Sequence, residues 1–128
     1  MLNVGVVGTG SIAAAHVAGY AAFPEECRVV ALHDVAASRA HDTKAAFGLV
    51  DADVVIAPAL AVDSNGVRLG QGGGWYDRAL EHVRPGTKVI AVVFPEEVYD
   101  ATDRPLPLEK HDRTVDAVAT PLGWRWLG

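Results

Sequence analysis

Three short runs centred on valine constrain this chain more than any other feature. They are Leu2 to Val7, Arg28 to His33 and Asp53 to Ala57, the last with Val54-Val55-Ile56 at its heart. Apolar runs of this length, bounded by turn residues, read as strands covered on both faces. The stretches between them read as helices. Ser11 to Phe23 is rich in alanine, starts at a serine that can sit near its N-terminus, and stops at Pro24. Ala36 to Phe47 is stopped by Gly48. The order β-α-β-α-β implies a parallel sheet with right-handed crossovers.

Past Pro58 the texture changes. Gly66, Gly70, Gly72, Gly73 and Gly74 crowd one stretch, enough for a long functional loop. A helix is predicted from Trp75 to Val83, closed by Pro85-Gly86, then a strand from Lys88 to Phe94. Residues 95–114, with Pro95, Pro105 and Pro107, read as irregular with room for a short hairpin. Asp116 to Thr120 is a last short strand before Pro121. The expectation is one α/β domain over residues 1–128, three-layered α/β/α and Rossmann-like, with a mostly parallel sheet. The simplest strand order is 3-2-1-4-5, both halves winding outward from the first strand.

Composition narrows the partners. At 128 residues the chain has the length of one domain and can bury a core without a disulfide or metal staple. A net charge of −5 argues against a polyanion-binding surface, so neither nucleic acid nor an anionic membrane is an expected partner. Cys27 stands alone, which rules out an internal disulfide. No Lys or Arg precedes Arg28, and no apolar run approaches the ~20 residues needed to span a bilayer. A cytoplasmic location is expected. His16, His33, His41, His82 and His111 lack metal-ligand spacing, and Cys27 at a strand start reads as inert.

Two glycine-rich constellations carry chemistry. The first is Gly8-Thr-Gly10-Ser-Ile-Ala13, which fits G-x-G-x-x-A between a strand and a helix. Gly8 permits the tight turn, Gly10 admits a pyrophosphate to the backbone, and Ala13 keeps the helix close to the sheet. The helix N-terminus offers N–H groups to the phosphates. Asp34, at the end of the second strand, can accept ribose hydroxyls. These residues would take NAD(P); the bland alternative is that the glycines only shape a βα turn. The segment from Val4 to His16, then Val29 to Asp34, Ala40 and Ala46-Phe-Gly48, resembles the N-terminus of the glucose–fructose oxidoreductase and inositol dehydrogenase family, over residues 2–57. That family also carries a Glu-Lys-Pro segment. Here the one Glu-Lys is Glu109-Lys110, followed by His111.

The second constellation is Arg68-Leu-Gly70-Gln-Gly72-Gly73-Gly74-Trp75-Tyr76-Asp77-Arg78. Consecutive glycines let backbone amides turn toward phosphate oxygens, and a predicted helix begins immediately after. Arg68 can add charge-assisted bonds. Asp77 can hold Mg²⁺, which favours one or two carboxylates beside phosphates and water, and Asp112 can be the second. The structural alternatives are packing for Trp75 and Tyr76, a dipole-facing carboxylate for Asp77 and a turn residue for Asp112.

This stretch resembles the signature of 5-formyltetrahydrofolate cyclo-ligase, an ATP-dependent enzyme. Asp53 to Asp63 before it and His111 to Thr120 after it fit the same family, over residues 51–127. The resemblance implies an ATP loop at 68–76, metal ligands at Asp77 and Asp112, and a folate or adenine face at Trp75 and Tyr76.

The two resemblances meet near residues 48–57. They suggest a recombined or designed chain, with a dehydrogenase-type half at 1–50 and a cyclo-ligase-type half at 51–128. The first expected function is weak nucleotide binding, ATP with Mg²⁺ or NAD, without efficient catalysis. The second is a cyclo-ligase-like ATP-dependent enzyme, and the third an NAD(P)-binding module. An edge strand left by such a graft can favour a homodimer.

Overall fold

The computed structural model describes residues 1–7, 18–33, 51–70, 80–81, 83–108 and 113–127. Its main sheet has six strands in the order β2-β1-β3-β6-β8-β9. These are β1 (Leu2–Val7), β2 (Cys27–His33), β3 (Val54–Pro58), β6 (Lys88–Val92), β8 (Ala117–Thr120) and β9 (Gly123–Trp126). All pairings are parallel except β8 with β9. A smaller sheet, in the order β5-β4-β7, joins β4 (Ala61–Asp63), β5 (Arg68–Leu69) and β7 (Val98–Tyr99). The chain is an α/β fold with a mostly parallel sheet, as expected. The predicted helix at Ala36–Phe47 lies outside the described residues. Of the other two, residues 18–23 and 80, 81 and 83 are described: 18–21 and 80 are helical, while the chain has already left the helix at 22–23, 81 and 83, short of the predicted ends at Phe23 and Val83.

The strand order departs from 3-2-1-4-5. Numbering only the five parallel strands, it is 2-1-3-4-5, because β3 pairs with β1 on the side away from β2. Burial accounts for this. Val55 and Ala57 of β3, and Val89 and Ala91 of β6, are fully or almost fully buried. None of Cys27–Val30 in β2 is. The outward-winding order would put β3 at an edge and expose the most apolar strand. The observed order seats it between β1 and β6 and leaves the edge to β2, which carries Arg28.

A single cluster of small apolar side chains knits both sheets. It includes Val55, Ala57, Val89, Ala91 and Val118 from the main sheet and Val62 from the smaller one. Two carboxylates lock the strands at their amino ends. Asn3 N–H donates to Asp53 Oδ2 (2.7 Å), and Asp53 N–H donates to the Asn3 carbonyl (2.7 Å). Arg84 pairs with the other Asp53 oxygen. Val89 N–H donates to Asp116 Oδ2 (2.8 Å), and Asp116 N–H donates to the Val89 carbonyl (2.8 Å).

The C-terminal hairpin was not foreseen. Gly123, at φ +136°, lets the chain reverse after β8, and β9 pairs back through Ala119↔Trp124 and Ala117↔Trp126. Trp124 and Trp126 share one face of β9, meet edge to face at 5.3 Å, and are both largely exposed. Residues 95–108 are less irregular than expected: a 3₁₀ turn at Pro95–Glu97 leads into β7, which pairs in parallel with β4. No described helix is long and apolar enough to cross a membrane.

Candidate functional site

In a sheet of this order, ligands bind beyond the carboxyl ends of the strands where the winding reverses. Here that point lies between β1 and β3, paired as Val4↔Val54 and Val6↔Ile56. Gly8 directly follows β1. After β3 the chain enters the hairpin β4–β5, so the second glycine stretch leaves from the smaller sheet.

The hairpin is built around a carboxylate. Asp63 ends β4 and is fully buried. Its Oδ1 accepts the N–H groups of Asn65 (2.9 Å) and Val67 (3.0 Å), and its Oδ2 accepts that of Leu106 (2.9 Å). A carboxyl group withdrawn from water needs such donors, and three backbone amides supply them. The Asp63 backbone closes the same turn: its N–H donates to the Val67 carbonyl (3.0 Å) and its carbonyl accepts from Gly66 (2.9 Å). Gly66 takes φ +86°, a conformation that L side chains rarely adopt. Ser64 fastens the turn to β7: its N–H donates to the Tyr99 carbonyl (2.9 Å), and its Oγ accepts from Ala101 N–H (2.9 Å).

Arg68 directly follows this turn. Its guanidinium lies against the α-carbon of Gly70, where a β-carbon would stand 2.7 Å from Nη1 and 2.9 Å from Nη2. A cation thus rests beside the bare backbone of Gly70, where the glycine-rich stretch of the sequence begins, an arrangement that suits an anion with several oxygens.

Of the residues singled out from sequence, the structure describes these two, Arg68 and Gly70, and brings them together. Gly8, Gly10, Ala13 and Asp34 of the first fingerprint lie outside the described residues. So do Gly72, Gly73, Gly74, Trp75, Tyr76, Asp77 and Asp112 of the second. Among the described residues, no three His, Cys, Asp or Glu side chains gather in a group that could hold a metal ion. Asp63 was passed over as a functional residue. The signal was present in Asp63-Ser-Asn-Gly66, the composition of a turn in which an aspartate binds the backbone amide two residues on.

The profile of the 5-formyltetrahydrofolate cyclo-ligase family matches residues 24–121, from just before β2 to just after β8. The chain belongs to that family. The match crosses the joint at 48–57 and takes in β2, which the sequence had assigned to the dehydrogenase-type half. The 5-formyltetrahydrofolate cyclo-ligase of Mycolicibacterium smegmatis is 48% identical over 71 residues, 56% of this chain and 34% of that protein. The enzyme of the same name from Escherichia coli K12 is 37% identical over 76 residues, 58% of this chain and 40% of that protein. The mitochondrial one from Arabidopsis thaliana is 33% identical over 79 residues, 56% of this chain and 28% of that protein. The chain therefore spans about a third of the length of the curated relatives it matches.

Proposed function

We propose that this chain carries the nucleotide side of a cyclo-ligase-type site and binds ATP with Mg²⁺ through Arg68 and the glycine loop that begins at Gly70. The observation that carries this reading is the guanidinium of Arg68 held against Gly70, in a chain that belongs to this family. The guanidinium offsets phosphate charge, and the bare backbone lets amides reach phosphate oxygens. Asp77 and Asp112 are the metal ligands of the proposal. Mg²⁺ would offset charge on the phosphates.

The reaction is the ATP-driven closure of 5-formyltetrahydrofolate to the methenyl form. The formyl oxygen takes the γ-phosphoryl group and ADP leaves; a ring-closing nitrogen attacks the activated carbon, and phosphate departs with the former formyl oxygen. In such transfers positioning and charge stabilisation supply most of the catalysis. The part given to this chain is holding the triphosphate in line.

A recombined origin remains part of the proposal. The family match starts at residue 24, so β1 and the Gly8-x-Gly10-x-x-Ala13 fingerprint precede it. That fingerprint motivates a second ligand, NAD(P), at Gly8, Gly10 and Ala13, ahead of the family match.

Calorimetric titration with ATP, with and without Mg²⁺, and separately with NAD⁺, tests both. Mg²⁺-dependent ATP binding that Arg68→Ala weakens about tenfold or more is the expected result. A cooperatively folded protein that ignores ATP would overturn the nucleotide reading. Formation of the methenyl product, followed by its absorbance, tests turnover.

A further inference from the structure

The loop at 63–67 fastens more of the chain than its own hairpin. On one side Asp63 Oδ2 takes the Leu106 N–H, between Pro105 and Pro107. On another, Val115 N–H donates to the Gly66 carbonyl (2.8 Å), and Gly66 packs so closely on Val115 that no β-carbon fits. Ser64 holds Tyr99 and Ala101. Three remote stretches, at 99–101, 106 and 115, are thus tied to a turn that runs directly into Arg68.

We infer that Asp63 is a positioning residue for the phosphate site: by holding the 63–67 turn and residue 106 together, it sets where Arg68 and Gly70 stand relative to the rest of the fold. The inference rests on the nucleotide reading proposed above. Its basis is geometric. Asp63 is fully buried, and all three donors to its carboxylate are backbone amides. Two of them, Asn65 and Val67, lie inside the turn, and Val67 is the residue before Arg68. The third comes from a segment 43 residues further along the chain. A carboxylate is suited to this because both oxygens only accept. An amide of the same shape presents an NH₂ to one set of N–H groups and cannot satisfy both.

Asp63→Asn is the direct test, read by Mg·ATP affinity and by circular dichroism at a temperature where the variant is folded. The expected result is folded protein with affinity weakened about tenfold. Thr87→Val is the control. Thr87 is also buried and donates its hydroxyl to the Ala52 carbonyl (3.1 Å), but it stands before β6, at the amino end of the sheet. It should lower the melting temperature and leave affinity unchanged, which separates loss of stability from loss of position. Should Asp63→Asn fail to fold, Leu106→Pro removes the third donor, along with the Leu106 side chain, and keeps the carboxylate. A several-fold weakening is expected there. Folded Asp63→Asn or Leu106→Pro protein with unchanged Mg·ATP affinity would overturn the inference alone. A wild-type protein that ignores Mg·ATP would overturn the nucleotide reading, and this inference with it.

Discussion

Gly66 and Val115 meet backbone to backbone. A β-carbon at Gly66 would stand 2.4 Å from the Val115 carbonyl oxygen, and the Val115 N–H donates to the Gly66 carbonyl at 2.8 Å. The contact is possible only because residue 66 has no side chain and takes φ +86°. It lets the β4–β5 turn lie flat against the strand entry to β8.

Gly66→Ala should therefore be among the most damaging small substitutions in the chain. Left-handed backbone costs an alanine about 1–2 kcal/mol, and pushing into a backbone oxygen costs a similar amount again. A loss of about 2–4 kcal/mol is expected, seen as a lower urea midpoint with little change in slope. Gly86→Ala is the matched comparison, at φ +90° with open space around it. It should cost only about 1 kcal/mol. Equal losses at the two positions would show that backbone conformation, not the Val115 contact, sets the cost.

Asp116→Ala should uncouple β6 from β8 at their amino ends. The substitution leaves the Val89 N–H without the carboxylate it donates to, and Val89 is fully buried. An abandoned buried donor costs about 1–3 kcal/mol. Hydrogen exchange should quicken at Val89 more than at Val55 in the neighbouring strand. Unchanged exchange at Val89 would mean that another acceptor replaces the carboxylate.

How much of this was legible beforehand depended on the range of each interaction. The strands β1, β2, β3 and β6 announced themselves, because valine runs between Gly and Pro are local signals. Their order was not local. It followed from which strand had most apolar surface to hide, a comparison across the whole sheet that seats Val55 between β1 and β6. β7 and β5 are two residues each and owe their existence to β4, so no periodicity marks them. The hairpin of Trp124 and Trp126 depends on Gly123 turning, four residues after the last expected strand residue but one. In the candidate site, Arg68 and Gly70 were legible as a motif. Asp63 was legible only as a turn aspartate in Asp63-Ser-Asn-Gly66; its hold on Leu106 was not, since that partner is distant in sequence.

Acid should destabilise the protein through Asp53 and Asp100. The Asn3 N–H, and then Arg84, hold the Asp53 carboxyl below its ordinary range; the Thr102 hydroxyl and N–H do the same for Asp100. A carboxylate whose folded pKa is depressed contributes its full share of stability above the unfolded value of about 4. That share is lost as pH falls through the lower, folded value. Urea midpoints should thus hold between pH 7 and pH 5 and decline below pH 4. In Asp53→Asn, which has no charge to lose there, the decline should be shallower. A parallel decline in the variant would assign the acid sensitivity to other groups. Because Asp53 and Arg84 are partly exposed, added salt should weaken their share.

Gly70→Ala separates fold from function most sharply. The new methyl group would meet the Arg68 guanidinium at 2.7–3.1 Å, the mobile end of a long side chain and not backbone. Gly70 also has no left-handed requirement. The methyl thus meets the far end of a flexible side chain, so the melting temperature should stay within about 2 °C of the parent, as for a substitution worth under about 0.5 kcal/mol. What is lost is the position of the cation beside the loop. Mg·ATP affinity should fall about three- to tenfold, less than the loss of a whole charge-assisted contact worth about 1.5–3 kcal/mol, because the guanidinium is displaced and not removed. Gly70→Ala combined with Arg68→Ala should bind more weakly than Arg68→Ala alone, because the methyl also covers backbone that the phosphates are proposed to reach. A double variant that binds as well as Arg68→Ala would instead mean that the methyl acts only by moving the guanidinium, and that the Gly70 backbone is not the surface the phosphates touch.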